Sequence, residues 1–371
     1  MKDSSKLFPY FRFLVKVLFL VPYPVGEAPS QRFRFEQYFS LLRENGIEYQ
    51  VQSFLPASHW RIFHQRGNLH MKIVVLFQGF LRRIKSLFTA RQFDFVFIHR
   101  EATPIGPPLI EFVLARILRK RIIYDFDDAI WLTDRAGENA LQRVIKWRSK
   151  VKHICRWSYR VSCGNAYLSE YATRLNPRVI CNPTTIDTKA LHVPADTPKS
   201  NNSIVIGWTG SHSTLKYLHL IEGVLAKLAA QFSNIRIRVI ADQNPELAVP
   251  GFEFCRWNKE SEIADLMAID IGIMPLPDDD WSRGKCGFKQ LQYMALEIPG
   301  VASAVGANLS IIDHGVNGFL ASSDAEWYEY LGTLIRDSDL RRKIGKAGRE
   351  KVHQAFSVTS NAELFLGLFS R

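Results

Sequence analysis

Short apolar runs of strand type alternate with segments of helical periodicity along this chain, and the alternation runs through twice. In the first half, residues 16–22 are strand-like and lead into a turn-rich stretch ending at Ser30. Phe35, Tyr38, Phe39 and Leu42 then follow at helical spacing up to Asn45-Gly46, a pair suited to a helix C-cap. Further strands are predicted at 49–54, 94–99 and 121–125, with a helix at 108–119. The second half repeats the pattern, with strands at 203–207, 235–240 and 269–274 and helices at 217–232, 261–267 and 288–296. Between the halves, residues 191–202 are rich in Pro, Asp, Ser and Asn and lack periodicity, as a linker does.

Strands and helices in such alternation build parallel sheets covered on both faces. The expected class is α/β, with two Rossmann-like domains facing across a cleft and ligands beyond the carboxyl ends of the strands. The expected division is a first domain at 1–190, the linker at 191–202, a second domain at 203–355, and a C-terminal helix at 356–371 that packs back on the first domain.

Charge divides along the same line. Residues 1–190 hold 30 of the 48 Lys and Arg side chains and 15 of the 36 Asp and Glu, a balance of +15, whereas residues 191–371 balance at −3. A basic first half points to a polyanionic partner, either nucleic acid or an anionic membrane. Within it, Ile73, Leu76, Phe77, Phe80, Ile84, Leu87 and Phe88 form an apolar stripe flanked by Lys72, Arg82, Arg83, Lys85 and Arg91. A basic amphipathic helix of this kind lies in a membrane interface, or packs its stripe into a core. No apolar run approaches the roughly 18 residues of a membrane span. The first such run carries Lys16 and meets Pro22, unlike a secretory signal. The five cysteines form no CxxC pair, as in a reduced compartment. A cytoplasmic protein at the inner membrane surface is the expectation.

Several strand-to-loop junctions carry polar chemistry. Residues 281–295, WSRGKCGFKQLQYMA, read as a loop entering a helix. Gly284 and Gly287 permit backbone approach, the helix start favours an anion, and Lys285 and Lys289 reach a diphosphate from one side. Residues 206–218, IGWTGSHSTLKYL, close a strand on a glycine turn and place Lys216 on the following helix, without the GxGxxG spacing of a dinucleotide site. In the first domain, Gly26 permits close approach across the cleft, while Arg32 and Arg34 suit an anionic acceptor. His99, Arg100 and Glu101 end one strand. Asp125, Asp127 and Asp128 end the next, where they serve as metal ligands or as helix caps.

These motifs resemble the family 4 glycosyltransferases of the GT-B fold, particularly those of bacterial surface polysaccharides. The matching pieces are PSQRFR at Pro29, YDFDDAIW at Tyr124, CGNAYL at Cys163, CNPTTID at Cys181, IGWTGSHSTLKYL at Ile206, DIGIMPLPDDDW at Asp270, GKCGFKQLQYMA at Gly284 and HGVNGFL at His314. The resemblance implies metal-independent, anomer-retaining transfer of a sugar from a nucleotide sugar, without a cofactor. The acceptor is then a saccharide, lipid-linked where the basic helix meets the membrane. Gly210 and Lys216 fall on the family's donor-phosphate residues, and Lys285 and Lys289 fit the lysine-bearing form of its loop. The family's two glutamates are missing: Gly284 stands at the first place and Gln292 at the second, whose amide remains to bond the ribose. By the same resemblance Asp127 serves the reacting centre, with Arg32, Arg34, His99, Arg100 and Asp128 toward the acceptor. A GT-B-fold epimerase or inactive scaffold keeps the fold without the transfer. A nucleic-acid-binding protein explains the charge but not the phosphate loops.

Overall fold

The computed structural model describes residues 15–64, 69–133, 144–195 and 203–370. Two six-stranded parallel sheets form its framework. The first has the order β2-β1-β3-β4-β5-β6, built from β1 (Val15–Val21), β2 (Ile47–Ser53), β3 (Phe95–His99), β4 (Arg121–Phe126), β5 (Arg160–Cys163) and β6 (Val179–Cys181). The second has the order β12-β11-β10-β7-β8-β9. Its strands are β7 (Ile204–Gly210), β8 (Ile235–Ala241), β9 (Phe252–Arg256), β10 (Ile271–Met274), β11 (Gly300–Ser303) and β12 (Phe319–Ala321).

Contacts divide the described chain into two units. One comprises residues up to Asp125, those from 144 to Val161, and those from Leu366 onward. The other runs from Phe126 to 133 and from Ser162 to Phe365. Residues 196–202 of the expected linker lie outside the described residues.

In the first unit Val17 to Val21 and Phe95 to Ile98 are fully buried. Continuous burial, instead of alternation, is what a parallel strand covered on both faces requires. The last residues of the chain belong to this core. Phe369 lies 6.1–6.3 Å, centroid to centroid, from Phe19, Phe95 and Phe97. The Arg160 guanidinium donates to the carbonyls of Gly367, Leu368 and Ser370 at 2.7–2.9 Å. In the second unit Ile206, Trp208, Ile237, Val239, Ile271, Ile273 and Val301 share one core with Trp327 and Leu331 of the helix Asp324–Arg336. Each such side chain stabilises the fold by about 1.5–3 kcal/mol on burial.

The basic stripe folds as the 21-residue helix Leu69–Thr89. It docks through Val75, Gly79, Arg83 and Ser86, all buried, with Leu76 and Phe80 packed on Phe54 and Leu55. A Cβ at Gly79 would lie 2.5 Å from the Phe54 ring, so glycine is what lets the helix seat. The opposite face leaves Ile73, Phe77, Leu81, Ile84 and Phe88 in solvent, each at least half exposed. Arg83 corrects the sequence reading: it is no rim cation. Fully buried, it donates to the carbonyls of Ala102 (2.6 Å), Gln52 (2.8 Å) and Val21 (2.7 Å). Burial pushes its pKa down to about 9, against the pull of Glu111. Arg82, Lys85 and Arg91 remain exposed. No helix among the described residues is long and apolar enough to cross a membrane.

Candidate functional site

In the first unit, parallel pairing of β3 with β4 sets His99 beside Asp125 at the carboxyl ends of both strands. His99 Nδ1 lies 2.8 Å from Asp125 Oδ2, and Arg34 pairs with the other carboxylate oxygen. All three side chains are buried. Burial alone would raise the Asp125 carboxyl, but Arg34 and His99 outweigh it and hold it well below the usual carboxylate range. Arg34 and His99, expected to meet the acceptor directly, are thus held by Asp125. His99 Nε2 has no hydrogen-bond partner among the described residues.

Two neighbouring features shape this corner. Arg100 sits at φ +60°, a left-handed conformation that costs a non-glycine residue energy. Its N–H bonds the Asp125 carbonyl (2.7 Å), and its own carbonyl accepts from the Tyr124 hydroxyl (2.7 Å), so the peptides on both sides of Arg100 are pinned. Gly26, at φ +84°, donates its N–H to Glu36 Oε2 at 2.8 Å. Buried Gln31 bridges Tyr23 and Glu36, which fixes the loop that carries Gly26. Arg32 is half-buried, with its guanidinium 5.0 Å from the Phe33 ring centroid.

In the second unit the loop after β10 and the helix Phe288–Ala295 bring two cations together. Lys285 Nζ is 3.7 Å from Asp128 Oδ1 and 5.2 Å from the Trp281 ring centroid. Lys289, half-buried, stands over the Trp208 indole at 5.1 Å. Desolvation, and then the Lys285 charge, push its pKa down to about 7, with Asp128 acting the other way. Gly210 ends β7 beside this pair: a Cβ there would lie 2.4 Å from Trp208 and 2.9 Å from Lys289 Cε. The helix starts at Gly287, φ +66°, with no side-chain cap. Two crowded cations at an uncapped helix start make a receptor for an anion.

Other expected residues fall elsewhere. Lys216 is exposed on the 3-10 turn His212–Ile221, its ammonium 5.3 Å from the Tyr217 ring centroid. Gln292 is buried, and its amide lies 3.4 Å from His192 Nε2, so the amide assigned to the ribose is already engaged. At the place of the missing first glutamate, a Cβ on Gly284 would come within 2.6 Å of Ala129 Cβ, which leaves no room for a longer side chain. Asp127 is half-buried and its carbonyl accepts the Cys286 thiol at 3.1 Å. The three carboxylates do not converge: Asp125 turns to Arg34 and His99, Asp128 to Lys285. A cavity of about 310 Å³ opens beyond β10, β11 and β12, lined by Leu276, Ser303, Val305, Ser322 and Trp327. Asp278 on its rim pairs with Arg283 of the lysine loop at 2.9 Å.

The sequence reading passed over Trp208, the platform for Lys289, and Asn165. The second caps the helix Ala166–Thr173 and donates to the carbonyls of Arg283 (3.1 Å) and Lys285 (3.0 Å). Both lie inside motifs quoted above, but their partners come from distant parts of the chain.

The two six-stranded parallel sheets are those of the GT-B fold. Residues 203–337 match the family described as Glycosyl transferases group 1. A stretch of 78 residues is 36% identical to human Alpha-1,3/1,6-mannosyltransferase ALG2, covering 21% of this chain and about a fifth (19%) of that protein. Sucrose-phosphate synthase of Thermosynechococcus elongatus superposes with a TM-score of 0.70 at 15% identity, covering 96% of this chain and 98% of that one. Anabaena Alr3699/HepE in complex with UDP and glucose gives 0.65 at 14% identity, covering 95% and 98%.

Proposed function

We propose that this protein transfers a sugar from a nucleotide-diphosphate donor to a saccharide acceptor, with retention at the anomeric carbon and without a metal ion. The observation that carries this reading is the pair Lys285 and Lys289, crowded together at an uncapped helix start beside Gly210. A diphosphate relieves their repulsion, and the cavity beside the same loop is of a size for a nucleoside. The UDP in the Anabaena HepE structure supports a uridine nucleotide as the first donor to try.

In the transfer, the bond from the anomeric carbon to the phosphate oxygen breaks as the acceptor oxygen bonds to the same face. The acceptor's hydroxyl proton passes to the leaving phosphate. Negative charge grows on that phosphate as the bond lengthens, so fixed lysines stabilise the transition state more than the ground state. Asp127 orients the acceptor hydroxyl.

The helix Leu69–Thr89 supports a lipid-linked acceptor at an anionic membrane surface, as in surface-polysaccharide assembly. A helix that buries Arg83 and Ser86 while exposing Ile73, Phe77, Ile84 and Phe88 is inside out for water and suited to an interface. Arg82, Lys85 and Arg91 each add about 1 kcal/mol near anionic lipid.

The test is an assay of the purified protein with uridine and guanosine diphosphate sugars in the presence of EDTA. A donor-dependent product with the donor's anomeric configuration is expected. Donor epimerisation without transfer, or dependence on added magnesium or manganese, would overturn the reading.

A further inference from the structure

Beyond β4 the chain runs through Asp127 and Asp128 to Trp131, whose indole lies flat on the Tyr171 ring. The centroids are 3.6 Å apart and the planes differ by 5°. Tyr167, one turn earlier on the helix Ala166–Thr173, is within 21° of parallel to the same indole, at 6.4 Å. Phe126 braces the indole edge-on at 6.0 Å. The helix sends Leu168 and Ala172 into the core, and Tyr167 and Tyr171 lie at the i, i+4 spacing of one face. Trp131, Tyr167 and Tyr171 all remain partly exposed. Three near-parallel rings, with Trp131 stacked face to face on Tyr171, thus stand where water reaches them.

That surface is joined to the lysine loop. Asn165 caps the tyrosine-bearing helix by accepting from the Leu168 N–H (2.9 Å), and its amide donates to the carbonyls of Arg283 and Lys285. From the other end, Asp128 meets Lys285, and Trp131 follows three residues on, at most about 11 Å along the chain. Carboxylates rim the rings. Burial, and then Asp280 beside its hydroxyl, raise the Tyr167 phenol above its ordinary value.

A pyranose has a face of C–H groups and an edge of hydroxyls. The C–H face meets the negative face of an aromatic ring, and the hydroxyls donate to carboxylates. We infer that Trp131, stacked with Tyr167 and Tyr171, is the platform for a pyranose ring of the acceptor saccharide, with Asp280 receiving one of its hydroxyls. A donor sugar is positioned through its own diphosphate at Lys285 and Lys289, whereas an incoming neutral sugar needs a surface of its own. The word acceptor rests on the glycosyltransferase reading; the stacking does not.

The experiment is saturation-transfer NMR on the full chain with the methyl α-pyranosides of glucose, mannose, galactose and N-acetylglucosamine at millimolar concentration. UDP is titrated in parallel. Transfer to the ring C–H protons of at least one pyranoside is expected in the wild type. It should fall at least fivefold in Trp131→Ala and persist in Trp131→Phe, with UDP affinity and thermal midpoint kept in both. No transfer from the wild type, or equal transfer from Trp131→Ala, overturns the platform. If Trp131→Ala instead weakens UDP-glucose relative to UDP, the ring held is the donor's and the acceptor assignment falls. If pyranosides bind through Trp131 while no nucleotide binds, the transferase reading falls and the platform stands.

Discussion

Lys289 and Trp208 stand 5.1 Å apart, ammonium over indole, at the point where Gly210 removes the side chain that would separate them. The indole is fully buried, so Lys289 shares its low dielectric and also feels Lys285. A cation held there is costly until an anion arrives.

Nucleotide affinity should therefore depend on pH. With its pKa near 7 in the free protein, Lys289 is charged below pH 7 and neutral above it, whereas the diphosphate complex holds it charged. UDP affinity should fall as pH rises from about 7, by up to about tenfold per unit, while one proton is taken up on binding. Calorimetry in two buffers of different ionisation enthalpy reads this directly. A pH-independent affinity between 7 and 8.5, or the same slope in Lys289→Met, would contradict it.

Asp125→Asn leaves Arg34 buried without its counter-charge and should cost about 3–5 kcal/mol. The sign of the pH effect follows from the lowered carboxyl. Its contribution is complete above the ordinary carboxylate pKa, near 4, and is lost as pH falls through that value toward the depressed one. Denaturant melts at pH 7 and pH 3 should differ more for wild type than for Asp125→Asn.

Arg83 and its neighbour Arg82 should part company. Arg83→Met removes the guanidinium bonds to the carbonyls of Val21, Gln52 and Ala102 and should lower stability by several kcal/mol. Arg82 and Lys85 are exposed, so Arg82→Glu with Lys85→Glu should leave stability within about 0.5 kcal/mol. The double variant should nonetheless release the protein from anionic vesicles, in a sedimentation assay at physiological salt. Equal sedimentation of wild type and variant would remove the membrane from the account.

Phe369→Ala should cost about 3–5 kcal/mol, because the ring fills a place among Phe19, Phe95 and Phe97 in the first sheet's core. A loss below 1 kcal/mol by chemical denaturation would show that the tail is only laid on the surface.

Strands that are apolar from end to end, such as Val17–Val21 and Ile271–Met274, were legible because burial on both faces leaves an unbroken run. β11 (Gly300–Ser303) and β12 (Phe319–Ala321) were not: three or four residues carry no period. The helix expected from the spacing of Phe35, Tyr38, Phe39 and Leu42 breaks into a 3-10 turn, Glu36–Tyr38, before the α-helix Phe39–Glu44, because Phe33, Arg34 and Phe35 all turn inward together. That Lys285 and Lys289 stand near one another was legible from their spacing. Arg83 was not, since three carbonyls from distant segments make its site, and nothing in KIVVLFQGFLRRIK distinguishes it from Arg82.

The most direct measurement is isothermal titration of UDP into wild type, Lys285→Ala and Lys289→Ala at pH 6.5 in EDTA. Lysine-held diphosphate binding predicts saturable one-site binding to the wild type, weakened at least tenfold in each variant at unchanged thermal midpoint. Equal affinity in all three proteins, or binding that appears only when a divalent metal is added, would contradict it.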